Sequence, residues 1–312
     1  MIPTGRQILL GIAGVLATAL QTAAGTPSET IPVLRDCPDC PRMIRIQPCK
    51  YQMGSTPEET AAAHVRSDRA AAEQPRHEVQ IGYPFAISRY ELTVREFSVF
   101  ARETGFTAAG CLVLDGKIWR MEPKADWQLP GFPVTGQHPA TCLSYNDFQK
   151  YLDWLSARTG KRYRFPTEAE WEYVANSSTG STNQCRRLNA ADKSFHKAFP
   201  RANWPQADCD DGVSVAGPVG RYAANSLGVH DMAGNQAEFV GDCYAPIHDN
   251  APIDGSARKV KPAICALRIV KGGSWAAEPG MVRPAVRMAM PMDVRGNGHG
   301  LRVVRELTVP NK

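Results

Sequence analysis

No run of lysine and arginine of the kind that marks a nucleic-acid surface occurs in this chain. Its 36 basic and 31 acidic residues leave a formal charge of only +5, and the basic residues are scattered, which argues against a nucleic-acid surface. No internal repeat and no low-complexity tract is evident, so a solenoid or a disordered tail is not the reading. Apart from Ile8 to Leu20, no hydrophobic stretch approaches the roughly 20 residues needed to cross a bilayer. No second Cys-x-x-Cys accompanies Cys37-Pro38-Asp39-Cys40, which weakens zinc or redox chemistry there, and the flanking prolines suit a rigid structural leader. Ser274 has no histidine or aspartate partner in its sequence context, so a serine hydrolase is disfavoured.

What is present begins with an export signal. Arg6 is followed by the short apolar run and then by Thr22, Ala23, Ala24 and Gly25, the pattern of a signal peptide over 1–25 cut near Ala24 or Gly25; an uncleaved anchor is the alternative. The mature protein is therefore expected to be exported, periplasmic or secreted, without stable membrane insertion. Nine cysteines in such a chain read as disulfide partners, and the odd count leaves one over. The length suits one large domain or two small ones, and 43% hydrophobic residues is ordinary for a globular core.

Residues 26–41 read as a Cys/Pro-rich, loosely held arm. Met43 to Tyr51 alternates as a half-buried strand, and His77 to Ile81 and Phe85 to Thr93 follow as strands. Between them, Ala61 to Gln74 is expected to be a solvated helix or a mobile loop. Thr93 with Glu96 three residues later opens a helix that buries Phe97, Phe100 and Ala101. Residues 105–140 show no periodicity and are expected to be irregular. Ser144 caps the next helix, with Phe148, Tyr151, Leu152 and Leu155 at helical spacing and Gly160 at its end. After a short strand at Arg162 to Phe165, Thr167 caps a third helix with Trp171 and Val174 inward. Glu168 and Glu170 are read there as solvated, cap-forming glutamates at the positive end rather than an acid–base pair. Leu267 to Val270 is a strand, Gly272-Gly273 a tight turn, and Leu301 to Val304 the closing strand.

One stretch carries the chemistry: Gly228-Val-His-Asp-Met-Ala-Gly-Asn-Gln-Ala-Glu-Phe-Val-Gly-Asp-Cys243. Carboxylates at Asp231 and Glu238 flank a Gly-Asn turn, and such a loop offers both carboxylate and carbonyl oxygens to a hard cation. Upstream stands Arg164-Phe-Pro-Thr-Glu-Ala-Glu-Trp-Glu-Tyr173, downstream Arg268-Ile-Val-Lys-Gly-Gly-Ser-Trp275. In this order the three resemble the sulfatase-modifying-factor, or formylglycine-generating-enzyme, family, from about Arg42 to Arg305. The resemblance implies one domain over 42–308 with an α+β, C-type-lectin-like fold, rich in loops and short mixed strands. It implies structural calcium at two places: Asp231 and Glu238 with carbonyls of Gly234 and Gln236, and Asn189 with Asp211. It also implies a disulfide between Cys243 and Cys265; Cys185 and Cys209, bracketing another irregular loop, form a second expected pair. Where the family commonly has Trp-Glu-Trp, this chain has Ala237-Glu238-Phe239.

Family members that make formylglycine carry two cysteines after the Gly-Gly-Ser, and their soft thiolates hold Cu(I). Ser274 to Arg287 contains no cysteine, so neither the copper site nor that activity is carried across. What remains is a polar set on the segment lining the family's cleft. Glu278 and His299 are the first acid–base candidates. Ser274, Trp275, Arg283, Arg287 and Arg302 are the expected substrate contacts, with Arg295 nearby, because arginine forks match anions. Two functions are compatible with this set. One is an exported, oxidoreductase-like enzyme that modifies a small molecule or peptide, siderophore tailoring being the example the family supplies. The other is a non-catalytic ligand- or protein-binding module on the same fold.

Overall fold

Caps and prolines cut the chain into short elements. The computed structural model describes residues 1, 31–177, 185, 187–259 and 265–307; apart from Met1, the expected signal peptide lies outside the described residues. In chain order the strands are β1 (Val33–Leu34), β2 (Met43–Ile46), β3 (Cys49–Met53), β4 (His77–Ile81), β5 (Phe85–Ser88), β6 (Cys111–Asp115), β7 (Ile118–Glu122), β8 (Tyr163–Arg164), β9 (Ala237–Cys243), β10 (Leu267–Lys271), β11 (Met288–Pro291), β12 (His299–Leu301) and β13 (Val304–Glu306). The helices are α1 (Pro57–Ala62), α2 (Ser67–Ala70), α3 (Val94–Thr104), α4 (Tyr145–Thr159), α5 (Glu168–Asn176) and α6 (Lys193–Ala198).

A five-stranded sheet runs in the order β1-β2-β5-β13-β8 and a four-stranded sheet in the order β11-β10-β9-β12; β3–β4 and β6–β7 are separate pairs. All pairings are antiparallel except β12 beside β9. The architecture is a loop-rich α+β fold.

The three longer helices form where local chemistry supports them. Thr93 with Glu96, Ser144 with Asp147 and Thr167 with Glu170 each make a reciprocal capping box, which satisfies amides that a helix start leaves free. α4 ends at Gly160 in the left-handed conformation. α3 and α4 bury Phe97, Phe100, Phe148, Tyr151 and Leu152 in one core with Phe239 and Val270, while α5 buries Trp171 and Val174 in a second core with Val240 and Ile269. Neighbouring residues of β9 and β10 thus feed opposite cores. That is why each strand carries two adjacent buried apolar residues, Phe239-Val240 and Ile269-Val270, rather than a strict alternation.

Several expectations change. Pro48, which has no amide to donate, separates β2 from β3, so Met43 to Tyr51 is two strands in different sheets rather than one. The closing strand is likewise split: β12 belongs to the four-stranded sheet and β13 to the five-stranded one. Ala61 to Gln74 holds the end of α1, α2 and a 3-10 turn at Ala71–Glu73. Residues 105–140 contain the β6–β7 hairpin. Glu168 and Glu170 are buried, not solvated. Glu170 receives both terminal nitrogens of Arg164 at 2.7 Å. The arm is pinned where it is described, since Cys37 bonds Cys40 and Tyr163 donates to Asp36 at 2.5 Å. The expected Cys185–Cys209 and Cys243–Cys265 bridges form, Cys111 pairs with Cys142, and Cys49 is unpaired.

Candidate functional site

The segment after β10 turns sharply because Gly272 and Gly273 both adopt positive φ, 88° and 69°. A side chain at Gly273 would meet the Met281 carbonyl at 2.8 Å, so the chain folds back on itself here. This brings Ser274 and Ala276–Glu278 against the end of β12. A cavity of about 460 Å3 opens at that point. Ser274, Glu278 and His299 line it with Trp119 of β7, Trp204, Arg66 at the start of α2 and Arg69 within it, and Met281, Met288 and Met290. Gly298 leaves room for this closure: a Cβ there would stand 3.3 Å from Ser274 Oγ and 3.4 Å from the Trp119 ring.

His299 is held by the strand, and its Nδ1 is buried without a partner. Burial pushes its pKa down to about 4, so the ring is a neutral imidazole at physiological pH, able to accept a proton. Glu278 opens the 3-10 turn Pro279–Met281 and is only partly buried. Arg66 is held by Asp68 through two hydrogen bonds of 3.1 and 2.6 Å. Arg69 instead points Nη1 at the sulfurs of Met281 and Met288, 3.9 and 4.0 Å away. The cavity therefore offers a carboxylate, a neutral imidazole, a hydroxyl, two guanidinium groups and indole walls. These can hold a planar or polar group and move a proton.

The structure places Glu278, His299 and Ser274 on one cavity and separates the rest of the set. Trp275 is buried behind the cavity wall, near Phe132, Phe195 and Phe199, and donates Nε1 to the Asn297 carbonyl at 3.2 Å. The three arginines read as substrate contacts are occupied elsewhere. Arg283 donates to Glu73 at 2.6 Å and to the Gly280 carbonyl. Arg287 forks onto Glu168 at 2.6 and 3.1 Å and spends Nη1 on the carbonyls of Ala72 and Ala245. Arg302 contacts both oxygens of Glu238 at 2.8–3.1 Å and the carbonyls of Ser88 and His230. Arg287 and Arg302 are buried guanidinium groups that pair their charge inside the core, while the partly exposed Arg283 is turned to Glu73. Arg295 pairs with Asp147. Sequence reasoning missed Arg66, Arg69, Trp119, Trp204, Met288 and Met290. The first two lay in a segment read as solvated, and Trp119 in one read as irregular.

The metal expectations divide. For copper, the cavity lining holds no thiol, and two of its three thioethers face a guanidinium, so a thiolate-held ion does not fit. For calcium, Glu238 does not fit: Arg302 neutralises it, and Trp171 donates to its Oε2 at 2.6 Å. Gln236, expected to offer its carbonyl, donates its side-chain amide to the Asn297 carbonyl and its backbone amide to Glu91. Gly234 packs so closely on Asn189 that a Cβ would lie 1.9 Å from that residue's carbonyl oxygen. Asp231 accepts from the Gly220 amide at 2.6 Å, while its Oδ1 is buried without a partner and burial raises it to about 6. Asn189 also keeps an unpartnered Oδ1. Asp211 accepts only from neutral donors, the Val213 amide and the Tyr222 hydroxyl, both at 2.6 Å, and burial raises its pKa. Arg302 and Arg221 act on Asp231 and Asp211 respectively, so of the expected oxygen ligands Asn189 Oδ1 is the neutral one left buried and unpartnered, whereas Glu238 is fully neutralised by Arg302.

Comparison with known proteins agrees with this fold. The family described as sulfatase-modifying factor enzyme 1-like domain matches residues 30–307. The solved structure of PvdO from Pseudomonas aeruginosa is 31% identical, with a TM-score of 0.73 over 89% of this chain and 98% of that one. A formylglycine-generating enzyme of Mycobacterium tuberculosis is 27% identical, covering 75% of this chain and 91% of its own. The inactive C-alpha-formylglycine-generating enzyme 2 of Mus musculus is 24% identical, covering 75% and 74%.

Proposed function

We propose that this chain, which belongs to the sulfatase-modifying factor family, is an exported modifying enzyme that works without a cysteine pair. Its substrate is a small molecule or the side chain of a peptide, held in the cavity between the tryptophans, and tailoring of a siderophore is the kind of reaction the family resemblance suggests. One observation carries the reading: a neutral imidazole whose Nδ1 is buried and a partly exposed carboxylate, His299 and Glu278, reach the same cavity. In such a site His299 accepts a proton from the substrate and Glu278 exchanges one with it. Arg69 orients a polar or anionic group at the rim. Asn189 and Asp211 would hold a calcium ion, which supplies only cross-linking of loops; chelation should then lower the melting temperature, and an unchanged melt would remove that part.

The test begins with mass spectrometry of small molecules that co-purify with the native protein. Glu278→Gln and His299→Gln should each reduce turnover of the captured compound by about 100-fold or more, the usual scale of acid–base assistance, with the melting temperature nearly kept. A test peptide carrying a sulfatase cysteine should gain no formylglycine, with or without copper; a copper-dependent mass shift would overturn the proposal. The second reading is a binding module, favoured by the likeness to an inactive mouse relative. It requires the captured compound to leave unchanged and to bind Glu278→Gln as tightly as the parent protein.

A further inference from the structure

Near Glu168, the first residue of α5, a second group of side chains has chemistry that the cavity does not use. His77 is the first residue of β4, and its Nδ1 lies 2.9 Å from the Pro75 carbonyl oxygen. A carbonyl can only accept, so Nδ1 carries the proton and Nε2 is left with the lone pair. That Nε2 is buried and has no partner. Beside it lies His248, on the loop closed by the Cys243–Cys265 bridge. Its backbone amide donates to the Gln74 carbonyl at 2.8 Å, which fastens this loop to the segment leading into β4. The two imidazole rings stand 5.0 Å apart, centroid to centroid, at 55°. His248 is only 3% exposed, yet neither of its ring nitrogens has a partner.

Leaving a buried polar group unpaired is costly, so unpaired nitrogens on two rings whose centroids are 5.0 Å apart ask for a common partner. We propose that His77 and His248 together bind a divalent transition-metal ion. A ring whose other nitrogen donates to a backbone carbonyl is the arrangement that orients a ligating histidine. Imidazole pairs select zinc, nickel or copper(II) over calcium or magnesium, which prefer oxygen. The charged groups facing His248 are Glu168, Arg287 and Lys271; these cations are matched by the carboxylates of Glu168 and Glu172, so no net positive charge opposes an ion. Burial also keeps His248 unprotonated at neutral pH, as a ligand must be. His77 is partly exposed and gives the ion a route in, with water completing its coordination. The ion would tie the disulfide-closed loop to β4.

The experiment is a zinc titration of the full mature protein, made without a histidine tag and in buffer containing excess calcium. Calorimetry should show one zinc per chain and the melting temperature should rise with zinc. His77→Gln and His248→Gln should each abolish both signals. Because His77 is partly exposed, His77→Gln should melt like the parent without zinc, so it decides the matter even if His248→Gln fails to fold. Absence of binding by the parent protein would overturn the proposal, as would zinc binding retained in His77→Gln. A zinc-soaked crystal with only an ordered water between the rings would overturn it too.

Discussion

Arg302 and Glu238 are both fully buried, and either alone would leave an uncompensated charge in the core. Breaking such a pair costs about 3–5 kcal/mol, whereas replacing both partners by apolar groups of similar volume is often near neutral. Glu238→Leu and Arg302→Met should each lower stability by about that amount in urea unfolding, and the double variant should recover much of it. A calcium ligand at Glu238 would behave differently, since Glu238→Leu would then cost stability only while calcium is present. The residue motif was legible in the sequence but its role was not, because a spacing of carboxylates does not say which arginine will arrive from 64 residues away to neutralise one. His299 gives a second prediction at this scale. Burial lowers its folded pKa from 6.5 to about 4, so between those values the unfolded chain binds the extra proton. Its contribution to stability is therefore complete above pH 6.5 and is lost as pH falls towards 4, by up to about 3 kcal/mol. In chemical denaturation at a series of pH values, His299→Gln should lose less stability over that window than the parent protein.

At the scale of elements, the helices were legible because a capping box and an apolar stripe are both local signals, and Thr93, Ser144 and Thr167 each cap where the pattern placed them. The β6–β7 hairpin was not legible by hydrophobic period, since Ile118 to Met121 are all exposed and no buried face imposes alternation. The signal that was available is the turn: Gly116, at φ 65°, begins a two-residue connection between Asp115 and Ile118. This hairpin carries Trp119, 39% exposed, to the cavity wall. A large side chain so exposed contributes little to folding. Trp119→Ala should change stability by less than about 1 kcal/mol, yet weaken binding of the co-purified compound by at least tenfold in calorimetry. Equal losses in both measurements would mean that Trp119 serves packing rather than the ligand.

At the scale of the whole molecule, the order of the motifs made the family and fold class readable, while the sheet order was hidden. β13 slots between β5 and β8, and β12 runs parallel to β9, so the last two strands complete two sheets begun far earlier in the chain. Long-range pairings of this kind leave no local trace. Much of the chain between these sheets is loop, and covalent bridges hold it. In the chain-entropy account, a bridge stabilises by the freedom it removes from the unfolded chain, and the effect grows with the length closed. Cys111–Cys142 spans 31 residues and Cys37–Cys40 only 3. The longer bridge is then worth about 4 kcal/mol and the shorter roughly 1.5 kcal/mol. Replacing both members of each pair by alanine should reproduce that order in urea unfolding. The longer bridge also anchors β6, the partner of the strand bearing Trp119, so its loss should weaken ligand capture as well, while loss of the shorter bridge should leave capture unchanged. If the two double variants lose equal stability, the loops are held mainly by packing, and the bridges do not support the cavity.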